Sequence, residues 1–99
     1  MVASIARSIA AIDRAIATTS YKPERFWVQK GDILDAAGKS ADAAKCYAKA
    51  RTIEPRLAGA WKKEALVLEK IGSAAEAKAA ATAYLELVPT DEDFKGKGL

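Results

Sequence analysis

An all-α fold of antiparallel helical hairpins is predicted by three observations. Alanine, the best helix former, supplies 23 of the 99 residues, and proline only 3. Apolar residues recur at steps of three and four, the spacing that gathers them on one helix face. The rare residues that punctuate helices return at a fixed distance: Trp27 to Trp61, Gly38 to Gly72 and Pro55 to Pro89 are each 34 positions apart. Matches among the abundant alanines carry little weight beside these.

The first expected helix lies within residues 1–20 and carries Val2, Ile5, Ile9, Ile12 and Ile16 as a heptad-type stripe. Its run Ile12, Asp13, Arg14, Ala15, Ile16 fits the second helix of a preceding unit, so it reads as half a repeat or a cap. The stripe is most simply core, docked near Trp27; the alternative is a dimerisation seam. Phe26, Trp27, Ile33, Leu34 and Ala37 predict a second helix stopped by Gly38. Ser40 opens a third, with Ala43, Cys46, Tyr47, Ala50 and Ile53 on its apolar face, and Pro55 stands where no helix continues.

The second period repeats this logic. Leu57, Ala60, Trp61, Leu68 and Ile71 lead to Gly72, a predicted left-handed cap, and Ser73 with Glu76 predicts a capping box for the next helix. Ala77, Ala81, Tyr84 and Leu87 carry that helix to Pro89. The repeats therefore span 24–57 and 58–91, and residues 92–99, with Gly96 and Gly98, are expected to fray.

Composition excludes more chemistry than it suggests. With no histidine and one cysteine, Cys46, the chain lacks the residues of most zinc sites and of imidazole-activated nucleophiles. Cys46 sits on an apolar face and reads as a small buried residue, and a lone thiol suits a reducing compartment. The pair Asp32 and Asp35 belongs to a solvated face, and Asp91, Glu92 and Asp93 form a helix start favoured by the macrodipole. No catalytic residue, metal ligand or cofactor is expected, and no glycine-rich phosphate loop is present.

Charge points away from nucleic acid. The net charge is +3, with ten basic and six acidic groups in residues 1–57 against six and seven in 58–99, and Lys62 with Lys63 is the longest basic run. Arg7, Asp13 and Arg14 break the apolar N-terminal stretch that a secretory signal needs, and a cytoplasmic, non-membrane protein is expected.

The 34-residue helix-turn-helix period resembles the tetratricopeptide repeat (TPR), which has an aromatic at its fourth position, small residues at the eighth and twentieth, and proline at the thirty-second. Counted from Glu24, the chain shows Trp27, Gly31, Ala43, Tyr47, Ala50 and Pro55; counted from Ala58, it shows Trp61, Ala65, Ala77 and Pro89. Lys30 and Glu64 stand where the family usually has leucine, and Ala81 and Tyr84 replace its usual aromatic and small residue. The resemblance implies a short right-handed solenoid of about five helices. Gly31 or Ala65 would face Ala43 or Ala77 at close approach, with Trp27 and Trp61 filling the space beside them. Repeat arrays need about three units for stability. Two and a half units imply marginal stability, or packing against something else.

The resemblance also implies a non-catalytic scaffold or adaptor binding a peptide or helix of another protein. Its concave face, formed by the first helix of each repeat, would hold Arg25, Val28, Asp32, Asp35, Lys62, Leu66, Glu69 and Lys70. A carboxylate clamp of the kind one family branch uses is disfavoured. Arg25, Gln29, Lys62 and Lys63 lie nearby, but Asp32 occupies the position of the clamp's asparagine and would repel a ligand carboxylate. The alanine-rich last helix, with Leu85 and Val88 off its Tyr84 face, offers an open C-terminal end as a second surface. A homo-oligomer through the isoleucine stripe or this helix is the alternative function.

Overall fold

The computed structural model describes residues 2–19 and 22–97 and, apart from Val2 and Ala3, their side chains; among them the chain is all-helical. The elements are α1 (Val2–Thr18), α2 (Pro23–Ala36), α3 (Ser40–Ile53), α4 (Ala58–Lys70), α5 (Ala74–Leu87) and the short α6 (Glu92–Lys95). The period read from punctuation governs the elements themselves. Helices α3 and α5 begin 34 residues apart and end 34 apart, α2 and α4 end 34 apart, and α6 begins 34 residues after α4.

Glycine sets the turns inside both hairpins. Gly38 has φ 82° and Gly72 φ 84°, left-handed values that a side chain would strain. In each turn the next residue's N–H reaches back to the helix end, Lys39 to the Leu34 carbonyl at 2.8 Å and Ser73 to the Leu68 carbonyl at 2.9 Å, the bond of a Schellman cap. That bond also explains why the expected capping box is absent. The Ser73 N–H that Glu76 would have accepted is already given to Leu68, and the Ser73 side chain makes no cap bond. Pro23 starts α2, where its missing N–H costs nothing.

Each helix packs antiparallel to the next: Asp35 meets Ser40 and Asp32 meets Tyr47 between α2 and α3, and Arg51 meets Glu64 between α3 and α4. Ion pairs link α2 directly to α4, so these two helices form one layer while α3 and α5 form the other. The molecule measures 37 × 29 × 19 Å, its shortest dimension matching two helix diameters. Alanines make the close approaches: Ala43, Ala50, Ala60, Ala65 and Ala77 are completely buried.

The aromatic that fills the first hairpin is Tyr47. An ideal Cβ on Gly31 would lie 2.5 Å from the Tyr47 ring, so the ring rests directly on the α2 backbone, and its hydroxyl donates to Asp32 at 2.6 Å. Trp27 and Trp61, expected to fill this space, are only half-buried at the edge. The indole N–H of Trp61 donates to the Pro55 carbonyl at 2.8 Å, and Arg51 stacks 4.3 Å from its ring. Ile53 and Ile71, placed on apolar faces by the sequence, are 43% and 42% exposed, because each sits at a helix end where the chain turns away. Ile5, Ile9, Ile12 and Ile16 are half-buried, with Ile9 against the core; the side chain of Val2 lies outside the described residues.

The tail departs from expectation. Asp91 caps α6 by accepting the Phe94 N–H at 3.0 Å, and Phe94 is buried edge-on against Tyr84 with ring centroids 4.8 Å apart. Burial of one large aromatic orders residues that two glycines were expected to loosen. Gly98 lies outside the described residues.

Gly31→Ala is expected to destabilise the protein by roughly 1–3 kcal/mol through overpacking. Tyr47→Leu in the same chain should recover part of that loss in urea melts, and an unshifted Gly31→Ala midpoint would contradict the packing. Tyr47→Ala should cost roughly 3–5 kcal/mol, and Trp27→Ala, whose ring already meets water, clearly less. Equal losses would restore Trp27 to the centre of the core.

Candidate interaction surface

The first helices of the two hairpins place the expected binding residues on one layer, but largely as partners of one another. Asp32 on α2 receives Lys63 of α4 at 2.9 Å, and Asp35 receives Lys70 at 2.8 Å. One period further on, Lys62 reaches Asp91 at 3.2 Å, just ahead of α6. These pairs form a ladder across α2, α4 and the start of α6. Val28 and Leu66 lie half-buried against the core, while Arg25 and Glu69 are exposed. Among the described residues Arg25 and Glu69 make no ion pair.

Hydrogen bonds from below hold the carboxylates in place. Tyr47 donates to Asp32, Ser40 donates to Asp35 at 2.9 Å, and Tyr84 donates to Asp91. The Lys70 ammonium, assisted by Ser40, lowers the Asp35 pKa below its ordinary 3.8. The Tyr84 hydroxyl, the Phe94 N–H and Lys62 lower that of Asp91 likewise. Asp91 in turn raises the pKa of Lys62. Burial foremost, then the bond to Asp32, drives the Tyr47 hydroxyl pKa upward, so Tyr47 is a neutral donor.

Sequence reasoning placed Lys63 beside a carboxylate clamp and Asp91 at a helix start, but foresaw neither their ion pairs nor the part the two tyrosines play on this surface. The available signal was charge spacing: Asp32 to Lys63 and Asp35 to Lys70 are opposite charges 31 and 35 positions apart, close to one period. Such a pair bridges adjacent units rather than adjacent turns. Of the lysines considered for a carboxylate clamp, both Lys62 and Lys63 already hold a carboxylate.

The two departures from leucine are explained by the same economy of charge. Lys30 pairs with Asp13 of α1 at 2.6 Å. Glu64, 4% exposed, accepts from Arg51 Nε with both oxygens at 2.9 and 3.1 Å. Each places a charge on the first helix of a unit opposite a partner on the preceding helix. Cys46 is buried, and burial raises its thiol pKa, which leaves little thiolate.

Among the described residues no group of three or more acidic or cysteine side chains is arranged to hold a metal ion. None of the described helices is long and apolar enough to cross a membrane. No known family model matches the chain, and no curated protein matches it.

Arg51→Ala is expected to cost roughly 1–3 kcal/mol, less than a fully buried pair because Arg51 is partly solvated, since it leaves the Glu64 carboxylate buried alone. Glu64→Leu should be close to neutral. The reverse ranking in chemical denaturation would contradict the assigned packing. Acidification gives a second check. Asp91 has a lowered pKa in the folded chain, so its stabilising contribution is present above the unfolded value and lost as pH falls through the folded one, below 3.8. The Phe94 amide and ring resonances should hold their folded shifts from neutral pH down to that window and then collapse. Collapse well above it would remove Asp91 from the docking of α6.

Proposed function

We propose that the chain is a TPR-like interaction module, a short right-handed stack of helical hairpins that acts as a non-catalytic scaffold or adaptor. The observation that carries this reading is the 34-residue recurrence of whole elements, which sets α2 and α4 side by side as a single exposed layer. A peptide or helix of another protein would lie along that layer over Val28 and Leu66. Arg25 and Glu69, without ion-pair partners among the described residues, would orient it. The ion-pair ladder makes the layer close to neutral, which favours a ligand chosen by apolar contact and shape over one chosen by charge. Six basic side chains are held in ion pairs, which weakens the case for nucleic acid. The reduced, buried thiol is consistent with a cytoplasmic setting.

Self-association is the second reading, and Leu87 favours it: this large apolar residue at the end of α5 is 39% exposed, on a helix that also exposes Ala74, Ala75 and Ala79. The isoleucine stripe is a weaker seam, because α2 already covers part of it.

The test combines affinity capture from a source lysate with sedimentation. Wild type is compared with a variant carrying Arg25→Glu, Leu66→Gln and Glu69→Lys whose melting curve shows that it is folded. A partner held by wild type and lost from the variant supports the layer as the binding site. Partners unaffected by the changes, together with a monomer–dimer equilibrium abolished by Leu87→Glu, would move the function to α5.

A further inference from the structure

We propose that the trough beside Trp27 binds an acidic peptide segment that inserts one aliphatic or aromatic side chain. The trough lies between α2 and α3, has a volume of about 430 Å³, and shares no residue with the α2–α4 ladder. Its floor is apolar, made of the buried Leu34 and Cys46, with the half-buried Trp27 as one wall. That combination of an open apolar floor and a few polar groups at the rim is the usual form of a side-chain pocket.

The rim supplies the charge. Lys45 and Lys49 are exposed, one helical turn apart on α3, and neither is in an ion pair among the described residues. Lys30 completes the basic side but is neutralised by Asp13. Asp42 is the single carboxylate that lines the trough, so free ammonium groups outnumber free carboxylates two to one. Two neighbouring faces differ from it. On the α2–α4 layer the lysines are held by aspartates, and in the groove between α3 and α5 Arg51 is held by Glu64. Unpaired cations and open apolar surface coincide at Trp27.

The chemistry favours a peptide over a nucleic acid. Lys30 and Lys49 sit 5.4 and 5.9 Å from the Trp27 ring, which puts ammonium groups beside the apolar wall that an inserted side chain would meet. Two free ammonium groups also make a poor phosphate track, but they suit carboxylates placed on either side of one buried side chain. The proposal rests on the reading of the chain as a protein-interaction module only in naming a peptide. Its residues are untouched by the variant that tests the α2–α4 layer, so either site can fail without the other.

The experiment titrates the full chain into a short fluorescein-labelled peptide of alternating glutamate and leucine and reads anisotropy. Three proteins are compared: wild type, Lys45→Glu with Lys49→Glu, and Arg7→Glu with Arg14→Glu, which makes the same change in net charge on α1. Circular dichroism confirms folding, and Lys45→Ala with Lys49→Ala replaces the first variant if it does not fold. Binding by wild type, weakened about tenfold or more by the trough variant and less than about twofold by the α1 variant, is the expected result. Equal weakening by both variants would reduce the effect to net charge and overturn the proposal. So would no binding by wild type, tighter binding of a single-stranded oligonucleotide, or anisotropy explained by self-association in sedimentation.

Discussion

The contact between Tyr47 and Gly31 ties the layers of this protein together. Because Gly31 has no side chain, the Tyr47 ring lies on the α2 backbone, and its hydroxyl reaches Asp32, the next residue along that helix. Asp32 then holds Lys63 of α4. One tyrosine therefore closes the first hairpin and positions the carboxylate that joins it to the second. The second hairpin solves the same problem with smaller groups: Ala65 and Ala81 stand one period after Gly31 and Tyr47, and both are buried. Its large aromatic, Tyr84, instead meets Phe94 and Asp91 at the end of the stack.

Packing and electrostatics have separate duties. Completely buried alanines set the helix spacing, and Leu34, Tyr47, Leu68 and Tyr84 fill the core between them. The exposed pairs Asp32–Lys63 and Asp35–Lys70 each contribute less than about 1 kcal/mol on the usual scale. Their value is geometric, because they fix which turn of α2 sits beside which turn of α4. The buried Glu64 works differently, since its carboxylate without Arg51 would have no compensation. The same pairing leaves the α2–α4 layer nearly neutral and the α3 side of the trough basic. The two faces of one small protein thus offer different chemistry.

The hairpins were legible because they depend on rare residues with local effects. Gly38 and Gly72 are required by left-handed backbone, and Pro55 and Pro89 mark stops, so their spacing carried the architecture. What escaped were consequences of long-range pairing. Nothing local to Asp32 says that its charge is met by Lys63, and nothing local to Glu92–Lys95 says that Phe94 will find Tyr84. Tryptophan misled for a related reason. Its size suggests the core, but Trp27 and Trp61 are half-buried at the edge, with a lysine ammonium near one ring and an arginine guanidinium over the other. The residues proposed from the sequence lie on α2 and α4, and what the sequence did not reveal is that several of them are partners of one another.

The seating of Tyr47 on Gly31 is tested most directly by a nuclear Overhauser spectrum. The prediction is a Gly31 Hα resonance shifted upfield by the ring current, with strong cross-peaks to the Tyr47 ring protons, and weaker cross-peaks between Asp32 and Lys63 side chains. A Gly31 Hα at its ordinary shift, without contact to Tyr47, would show that the two helices of the first hairpin meet some other way, and the assigned layering would fall with it.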